Sequence, residues 1–375
     1  MATRARCLFF TICLSFFAAV MLAAQEPAPK STTAAEAPNR DTSFIDEHGT
    51  AHVTRVVPVP ENLSLQARVW LSRAEADQGG PQSLAERRKS TDASSARDRD
   101  AWMKICPVTI EDRTIGGVPV HMVTPPDVPL GNHDKILLNL HGGGFNSDSG
   151  SYTESIPIAS YTKIKVVAVL YRLAPEYPFP AAVDDSIAVY KELIKTYKPQ
   201  NIVIYGTSAG AILTGEVAVK LKQLGLPEPG GLGIFSGMGD FARNGDSIAM
   251  YALRGLTGHL DPPEAGPHDP FYVGATDAKD PVLSPIYADL RGMPPTLFVT
   301  SGRDLLLSGT ANLHRAFLIA GVDARLVVFD ALPHAFWYSS KLPEAIEANH
   351  IMADFIVKTL ARRPAAATPA EKTDK

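Results

Sequence analysis

The sequence is poor in cysteine, has no surplus of positive charge, and lacks an apolar run long enough to cross a membrane comfortably. Three Cys in 375 residues exclude a disulfide framework. Lys and Arg total 36 against 40 Asp and Glu, a formal net charge of −4. That balance leaves nothing to neutralise phosphates and argues against nucleic acid as the main partner. The uncharged run Cys7 to Leu22 would cover about 24 Å as a helix, short of the ~30 Å bilayer core. His48 and His52 have no HExxH context, so they do not read as a zinc pair. Gly and Pro, at 28 and 30 residues, are not in excess. With 45% hydrophobic and 20% charged residues, a collagen-like or wholly disordered polymer is excluded. No internal repeat is present. The length allows two domains, or one large α/β unit with a lid, and a core that needs no staples.

The ends are set apart by composition. Arg4 and Arg6 precede the apolar run, and Ala23-Ala24 and Gln25-Glu26-Pro27 follow it. That order of charge, apolar run and small-residue exit reads as a cleavable signal peptide over 1–24, with an uncleaved anchor as the alternative. After cleavage Cys106 would be the remaining thiol, read as buried and inert. Residues 25–42 are rich in Ala, Pro, Thr and Ser and read as a flexible linker; 362–375 form a tail of the same character.

Between these ends, short apolar runs end at turn residues: Ile136 to Leu140, Val166 to Tyr171, Ile202 to Tyr205, Leu232 to Phe235, Leu297 to Thr300 and Arg325 to Phe329. Most lack polar alternation, as strands buried on both faces do. Helical patterns intervene at Ala181 to Tyr197, Ser208 to Leu224 and Leu306 to Ala320, the last two stopped by Gly225 and Gly321. The alternation predicts an α/β fold with a mostly parallel sheet covered on both faces. Val108 to Asp112 and Val118 to Val123, split by Gly116-Gly117, predict an antiparallel pair at its start. Asn62 to Lys104 is charged and helical in pattern, broken at Gln78-Gly79-Gly80-Pro81; Trp70, Trp102 and Met103 could form one apolar face. It reads equally as a solvated helical pair or as a lid. Ser236 to Pro295 is loop-rich and could complete such a lid.

Gly206-Thr207-Ser208-Ala209-Gly210 follows a predicted strand and opens a predicted helix, the context of a G-x-S-x-G nucleophile elbow. The turn leaves no room for side chains at Gly206 or Gly210, and the helix end aims its N–H groups at the Ser208 hydroxyl. His141-Gly142-Gly143-Gly144-Phe145 follows another strand. Three glycines let backbone N–H groups turn toward a developing oxyanion. The alternative, a phosphate loop, lacks the Lys-Ser/Thr of a P-loop and the spacing of a dinucleotide fingerprint. A serine nucleophile needs a base, and the base needs an orienting carboxylate. Asp304, past one late strand, and His334, past the next, stand in the right order; Asp330 is the rival acid.

Together, HGGGF at 141–145, YRLAPEYPFPAAVDD at 171–185, GTSAG at 206–210, the Asp of SGRD and the His of LPHAF resemble the hormone-sensitive-lipase-like branch of the α/β-hydrolases, whose bacterial members are carboxylesterases. The resemblance covers about Asn132 to Leu360 and fits the branch's helical cap only in type over Asn62 to Lys104. It implies an α/β-hydrolase fold, a mostly parallel eight-stranded sheet flanked by helices, with a cap region over 43–105, a catalytic domain over 106–361, and 236–295 partly cap.

The resemblance also implies roles. Ser208 matches the nucleophile, His334 the general base and acid, Asp304 the orienting carboxylate, and Gly143, Gly144 and Ala209 the oxyanion-hole donors. Asp184-Asp185 would fix the loop and helix near the site. One departure is Thr207, where the family usually carries Asp; a subgroup with Thr exists. Phe145 would line the acyl pocket and Trp70 would close it. The implied activity is hydrolysis of small or short-acyl esters through an acyl-enzyme, with no metal or cofactor. The alternatives are an acetyl esterase for acetylated carbohydrates or aryl esters, and a non-catalytic ligand-binding scaffold. Because the base must be neutral, activity should fall below roughly pH 6–7. The expected partner is a small-molecule ester, with no nucleic acid and no stable membrane insertion after signal removal. A homodimer paired along Arg325 to Phe329 and an exported location, periplasmic or secreted, complete the expectations.

Overall fold

The computed structural model describes residues 42–54, 56–72, 83–253, 255–256 and 269–362. The expected signal peptide, all of the linker but Thr42, nearly all of the tail, and the Gln78-Gly79-Gly80-Pro81 break lie outside them. The chain divides into two compact units, Met1–Pro58 and Val59–Lys375. In the first, β1 (Phe44–Ile45) and β2 (Ala51–His52) form a small antiparallel hairpin. Asp46 closes its turn, accepting from the His48 and Thr50 N–H groups and bonding His52 Nε2 at 3.0 Å. The two histidines thus belong to a hairpin.

The second unit begins with α1 (Leu65–Leu71) and α2 (Leu84–Met103). Ser83 and Glu86 form a capping box at the start of α2, satisfying two otherwise orphan N–H groups. Then come β3 (Thr109–Ile115), β4 (Val118–Thr124), β5 (Ile136–Leu140), α3 (Ser155–Thr162), β6 (Val166–Val169), α4 (Ala181–Leu193), β7 (Ile202–Thr207), α5 (Ala209–Gln223) and β8 (Gly231–Phe235). Two short helices, α6 (Asp246–Met250) and α7 (Pro270–Val273), precede β9 (Thr296–Arg303), α8 (Leu307–Ile319), β10 (Ala324–Pro333) and α9 (Pro343–Ala361).

One eight-stranded sheet runs in the order β10-β9-β8-β7-β5-β6-β4-β3. The six strands from β10 to β6 are parallel, while β4 and β3 are antiparallel to their neighbours. The expected α/β-hydrolase architecture is therefore the one observed. Strand side chains alternate between two apolar layers. Ile136, Leu138, Leu140, Ile202 and Ile204 enter the core shared with α4, α5 and α8. Leu137, Val203 and Tyr205 enter the core shared with α3 and α9. Both faces are buried, so the strands read as continuous apolar runs.

The parallel strands all deliver their carboxyl ends to one edge. Loops after β5, β7, β9 and β10 meet there, which is where an open α/β sheet places its ligands. Trp102, at the end of α2, is fully buried in the α3/α9 layer and donates its ring N–H to the Tyr338 carbonyl at 2.8 Å. Trp70 and Met103 are partly exposed, so the three do not make one buried face. Cys106 is buried and unpaired by any disulfide.

Candidate active site

The turn between β7 and α5 is tight. Ser208 sits in it with φ 58° and ψ −123°, a left-handed backbone that few non-glycine residues adopt. A Cβ on Gly210 would collide with the Leu140 carbonyl, so only glycine lets α5 start this close to β5. Ser208 makes no side-chain cap bond to its own helix. Its hydroxyl faces a cavity of about 670 Å³, lined also by Gly143, Gly144, Phe145, Ala209 and His334.

His334 follows β10, and Asp304 follows β9. The imidazole Nδ1 lies 2.8 Å from Asp304 Oδ1, with Asp304 fully buried. Two hydroxyls aim at the other carboxylate oxygen: Thr300 donates at 2.7 Å and Ser236 makes a very short bond. The Leu306 N–H donates to Oδ1 at 2.9 Å. Burial alone would push this carboxyl up. The charge of His334 and hydrogen bonds from His334, Ser236 and the Leu306 N–H outweigh it and hold the group below its usual value. An ionised Asp304 keeps the proton on Nδ1 and presents Nε2 to the cavity. No hydrogen bond joins Ser208 to His334 in this conformation; such contacts commonly tighten only when substrate binds.

The rival acid, Asp330, lies on β10 itself, exposed and bonded to Asn62 at 3.3 Å. It does not serve the imidazole.

The loop after β5 carries the glycines. Gly143 has φ 126°, and a Cβ there would run into the Ser147 carbonyl. Among the described residues, no hydrogen bond within the fold takes up the Gly143 or Gly144 N–H. Ala209 is the first residue of α5, so its N–H has no intrahelical acceptor. All three residues line the same cavity as Ser208. His141 is buried and turned inward: Nδ1 bonds the Gly142 carbonyl at 2.8 Å and the ring stacks on Tyr171 at 4.1 Å. It shapes the loop and does not reach the cavity lining.

Phe145 forms an apolar wall, 2% exposed and stacked on Tyr272 with ring centroids 3.4 Å apart. The Tyr272 hydroxyl donates to Glu216 Oε2 at 2.5 Å. Trp70, by contrast, is not among the lining residues. Its helix α1 packs on α9, anchored where Ser64 donates to Glu344. The expectation that Trp70 closes the pocket is corrected: the apolar pattern signals a covered face, not what covers it. The cavity wall is formed instead by α2, through Arg87, Ser90, Thr91, Ser94 and Asp98.

Several residues hold the site together, and among them Arg88, Ser236 and Glu154 carry no sequence signal, whereas Asp185 does. Arg88 clamps α2 to the glycine loop, donating to the Asn146 carbonyl at 2.6 Å and bidentately to Glu176 at 2.7 Å. Asp185 accepts from the Arg172 N–H and guanidinium, which holds the 171–185 loop; its expected fixing role matches this geometry. Glu154, just before α3, is buried behind the glycine loop and accepts four hydrogen bonds. Burial pushes its carboxyl up to about 7, against the bonds from Tyr338, Gly142 and Asn139. Ser236 and Glu154 could not be found by spacing, because their partners are remote in sequence. Among the described residues no three His, Cys, Asp or Glu gather as a metal set, and no helix is long and apolar enough to cross a membrane.

A family model described as alpha/beta hydrolase fold matches residues 137–338. The chain belongs to the α/β-hydrolase fold family. Within it the protein is hormone-sensitive-lipase-like, since its structural neighbours include members of that branch. One is the crystal structure of an esterase from the bacterial hormone-sensitive lipase family, with TM-score 0.65 and 29% identity, covering 76% of this chain and 94% of that one. Another is the esterase E25, with TM-score 0.72 and 30% identity over 83% of this chain and 99% of its own. Among curated relatives, an acetyl-hydrolase of Streptomyces hygroscopicus is 31% identical over 235 residues, 61% of this chain and 77% of the relative. An esterase of Acinetobacter venetianus is 28% identical over 225 residues, 59% and 74% respectively.

Proposed function

We propose that the protein is a serine carboxylesterase that hydrolyses small or short-acyl esters through an acyl-enzyme intermediate. One observation carries this most: the buried Asp304–His334 couple opens onto the same cavity as Ser208 and three N–H groups that find no acceptor among the described residues. In this reading His334 takes the Ser208 proton as the hydroxyl attacks the ester carbonyl. Gly143, Gly144 and Ala209 hold the oxyanion, a contribution of about 3 kcal/mol per donor. His334 then protonates the leaving alcohol, and water repeats the sequence on the acyl-enzyme. Asp304 holds the imidazole in the tautomer that leaves Nε2 free for the proton. The names of the relatives, esterase and acetyl-hydrolase, agree with this chemistry.

Phe145, backed by Tyr272, closes one side of the cavity next to Ser208, so the acyl chain has little depth there. Turnover of p-nitrophenyl esters is expected to be highest at acetyl to butyryl and to fall about tenfold or more by octanoyl, a cost of ~1.4 kcal/mol or more. Equal or rising kcat/KM through octanoyl would remove the short-acyl reading. The hydrophilic wall of α2, with Ser90, Thr91 and Ser94, supports a second reading, an acetyl esterase whose alcohol is a carbohydrate. Acetate release from acetylated sugars, compared with butyrate esters, separates the two.

The N-terminal segment is proposed as an export signal and residues 43–105 as a cap. The unpaired edge of β10 is proposed to join two copies. A mature N-terminus near Gln25 and a dimer mass by light scattering are the expected results; an intact Met1 or a monomer would count against the respective proposal.

A further inference from the structure

Behind the cavity a single carboxylate meets all three segments that carry the proposed chemistry. Glu154 is 4% exposed. Its Oε1 accepts from the Gly142 N–H at 2.9 Å and the Tyr338 hydroxyl at 2.6 Å. Its Oε2 accepts from the Asn139 side-chain amide at 2.8 Å and the Thr207 N–H at 3.1 Å. Gly142 immediately precedes Gly143, Thr207 immediately precedes Ser208, and Tyr338 lies just past His334. Resting on the serine-esterase reading above, we propose that Glu154 is a positioning residue that sets the oxyanion donors of Gly143 and Gly144 at working distance from the Ser208 hydroxyl.

The physical need is specific. An oxyanion donor is useful only when it lies about 2.7–3.1 Å from where the charge develops. Three successive glycines have the greatest backbone freedom of any residues, so that distance must be imposed from outside. The loop's own bonds, from Asn146 and Ser147 N–H to the Gly143 carbonyl and from Ser149 N–H to the Gly142 carbonyl, fold it on itself. None of them refers it to Ser208. The Glu154 carboxylate does, because it grips one N–H directly before each functional group. The two segments are already in close approach: a Cβ on Gly142 would lie 2.6 Å from the Tyr338 hydroxyl and 2.9 Å from the Thr207 carbonyl. Small shifts there would change the donor distance, and misplacement of about 1 Å can cost about a hundredfold in rate.

The same carboxylate accounts for Thr207. The resembled family usually carries Asp at this position. Here an Asp would stand beside Glu154 in a dry interior, and two like charges cannot both ionise cheaply at such range. Thr207 instead offers its hydroxyl oxygen to the Trp337 ring N–H at 3.1 Å. The carboxyl group behind the elbow belongs to Glu154 rather than to position 207.

Glu154→Gln tests the assignment because it keeps the volume and exchanges one acceptor oxygen for a donor. The Tyr338 hydroxyl can rotate to accept from the new amide; the Gly142 N–H cannot. Turned the other way, the amide meets the Thr207 N–H in the same manner while the Asn139 amide flips, so either orientation gives up one of the two backbone bonds that tie the loop to the elbow. With p-nitrophenyl acetate, kcat is expected to fall about 10- to 100-fold with KM within about twofold. Leu360→Ala, buried on α9 away from the cavity, serves as the stability control and is expected to lower the Tm while leaving kcat unchanged. Hydrogen exchange at the Gly142 or Thr207 amide should accelerate in Glu154→Gln and not in Leu360→Ala. Unchanged exchange at those amides, or a kcat loss matched by Leu360→Ala at equal loss of Tm, would overturn the proposal. Accelerated exchange in a protein whose wild type hydrolyses no ester would leave the positioning intact and remove the esterase reading instead.

Discussion

Ser208→Ala is expected to lower kcat/KM for a short ester by about 10⁴-fold or more, equal to ~5.5 kcal/mol of lost transition-state stabilisation. The loss is large because the substitution removes the atom that forms the acyl-enzyme. What survives is the oxyanion hole and binding, which give only a residual acceleration over water. The fold should not notice the change. Ser208 makes no side-chain bond to α5, and its only bond to β8 runs from its backbone N–H to the Phe235 carbonyl. The Tm should therefore stay within about 2 °C, as for a surface change of under ~0.5 kcal/mol. The comparison is steady-state hydrolysis of p-nitrophenyl butyrate by both proteins, with thermal unfolding alongside. Turnover equal to wild type would end the assignment of Ser208 as nucleophile.

Asp304→Asn should cost about 10³- to 10⁴-fold in kcat with little change in KM. The carboxylate accepts from Ser236, Thr300, the Leu306 N–H and the imidazole. An amide must present its NH₂ to some of these donors, and it no longer favours the tautomer with the proton on Nδ1. Here the chemical and structural roles overlap, so stability should fall too. Removing one partner from a buried charged network leaves the others unsatisfied, at about 3 kcal/mol. The sign of the pH dependence follows from the lowered pKa. This carboxylate stabilises the fold above its unfolded pKa, and that contribution is lost as pH falls through the lowered folded value. Urea unfolding at several acidic pH values should show a shallower acid loss in Asp304→Asn than in wild type. An equally steep loss would mean that Asp304 is not the group titrating.

Particular residues show how far the sequence could be read. The β5, β7 and β8 runs were legible because strands buried on both faces carry no polar alternation. Ser208, Asp304 and His334 were legible because the turn after a parallel strand accepts few residue types and the strands arrive in order. Helix α9 is absent from the helical patterns read in the sequence, though together with α3 it covers one face of the sheet. Trp70 falls in a helical pattern and in the region the resemblance makes a cap, yet α1 rests on α9. Glu154 was invisible: a lone Glu before a helix is commonplace, and its partners Asn139, Thr207 and Tyr338 are scattered along the chain.

By itself the sequence determined the layered α/β architecture, the edge where the candidate site lies, and Ser208, Asp304 and His334 as candidates at it. These follow from local rules: apolar periodicity, glycine at turns too tight for a Cβ, and polar residues at strand ends. Only the tertiary structure decided which carboxylate meets the imidazole, what walls the cavity, and how the glycine loop is tied to the elbow. Those depend on hydrogen bonds and packing between segments far apart in the chain, whose energies are set by distances of a few ångströms that no linear pattern encodes.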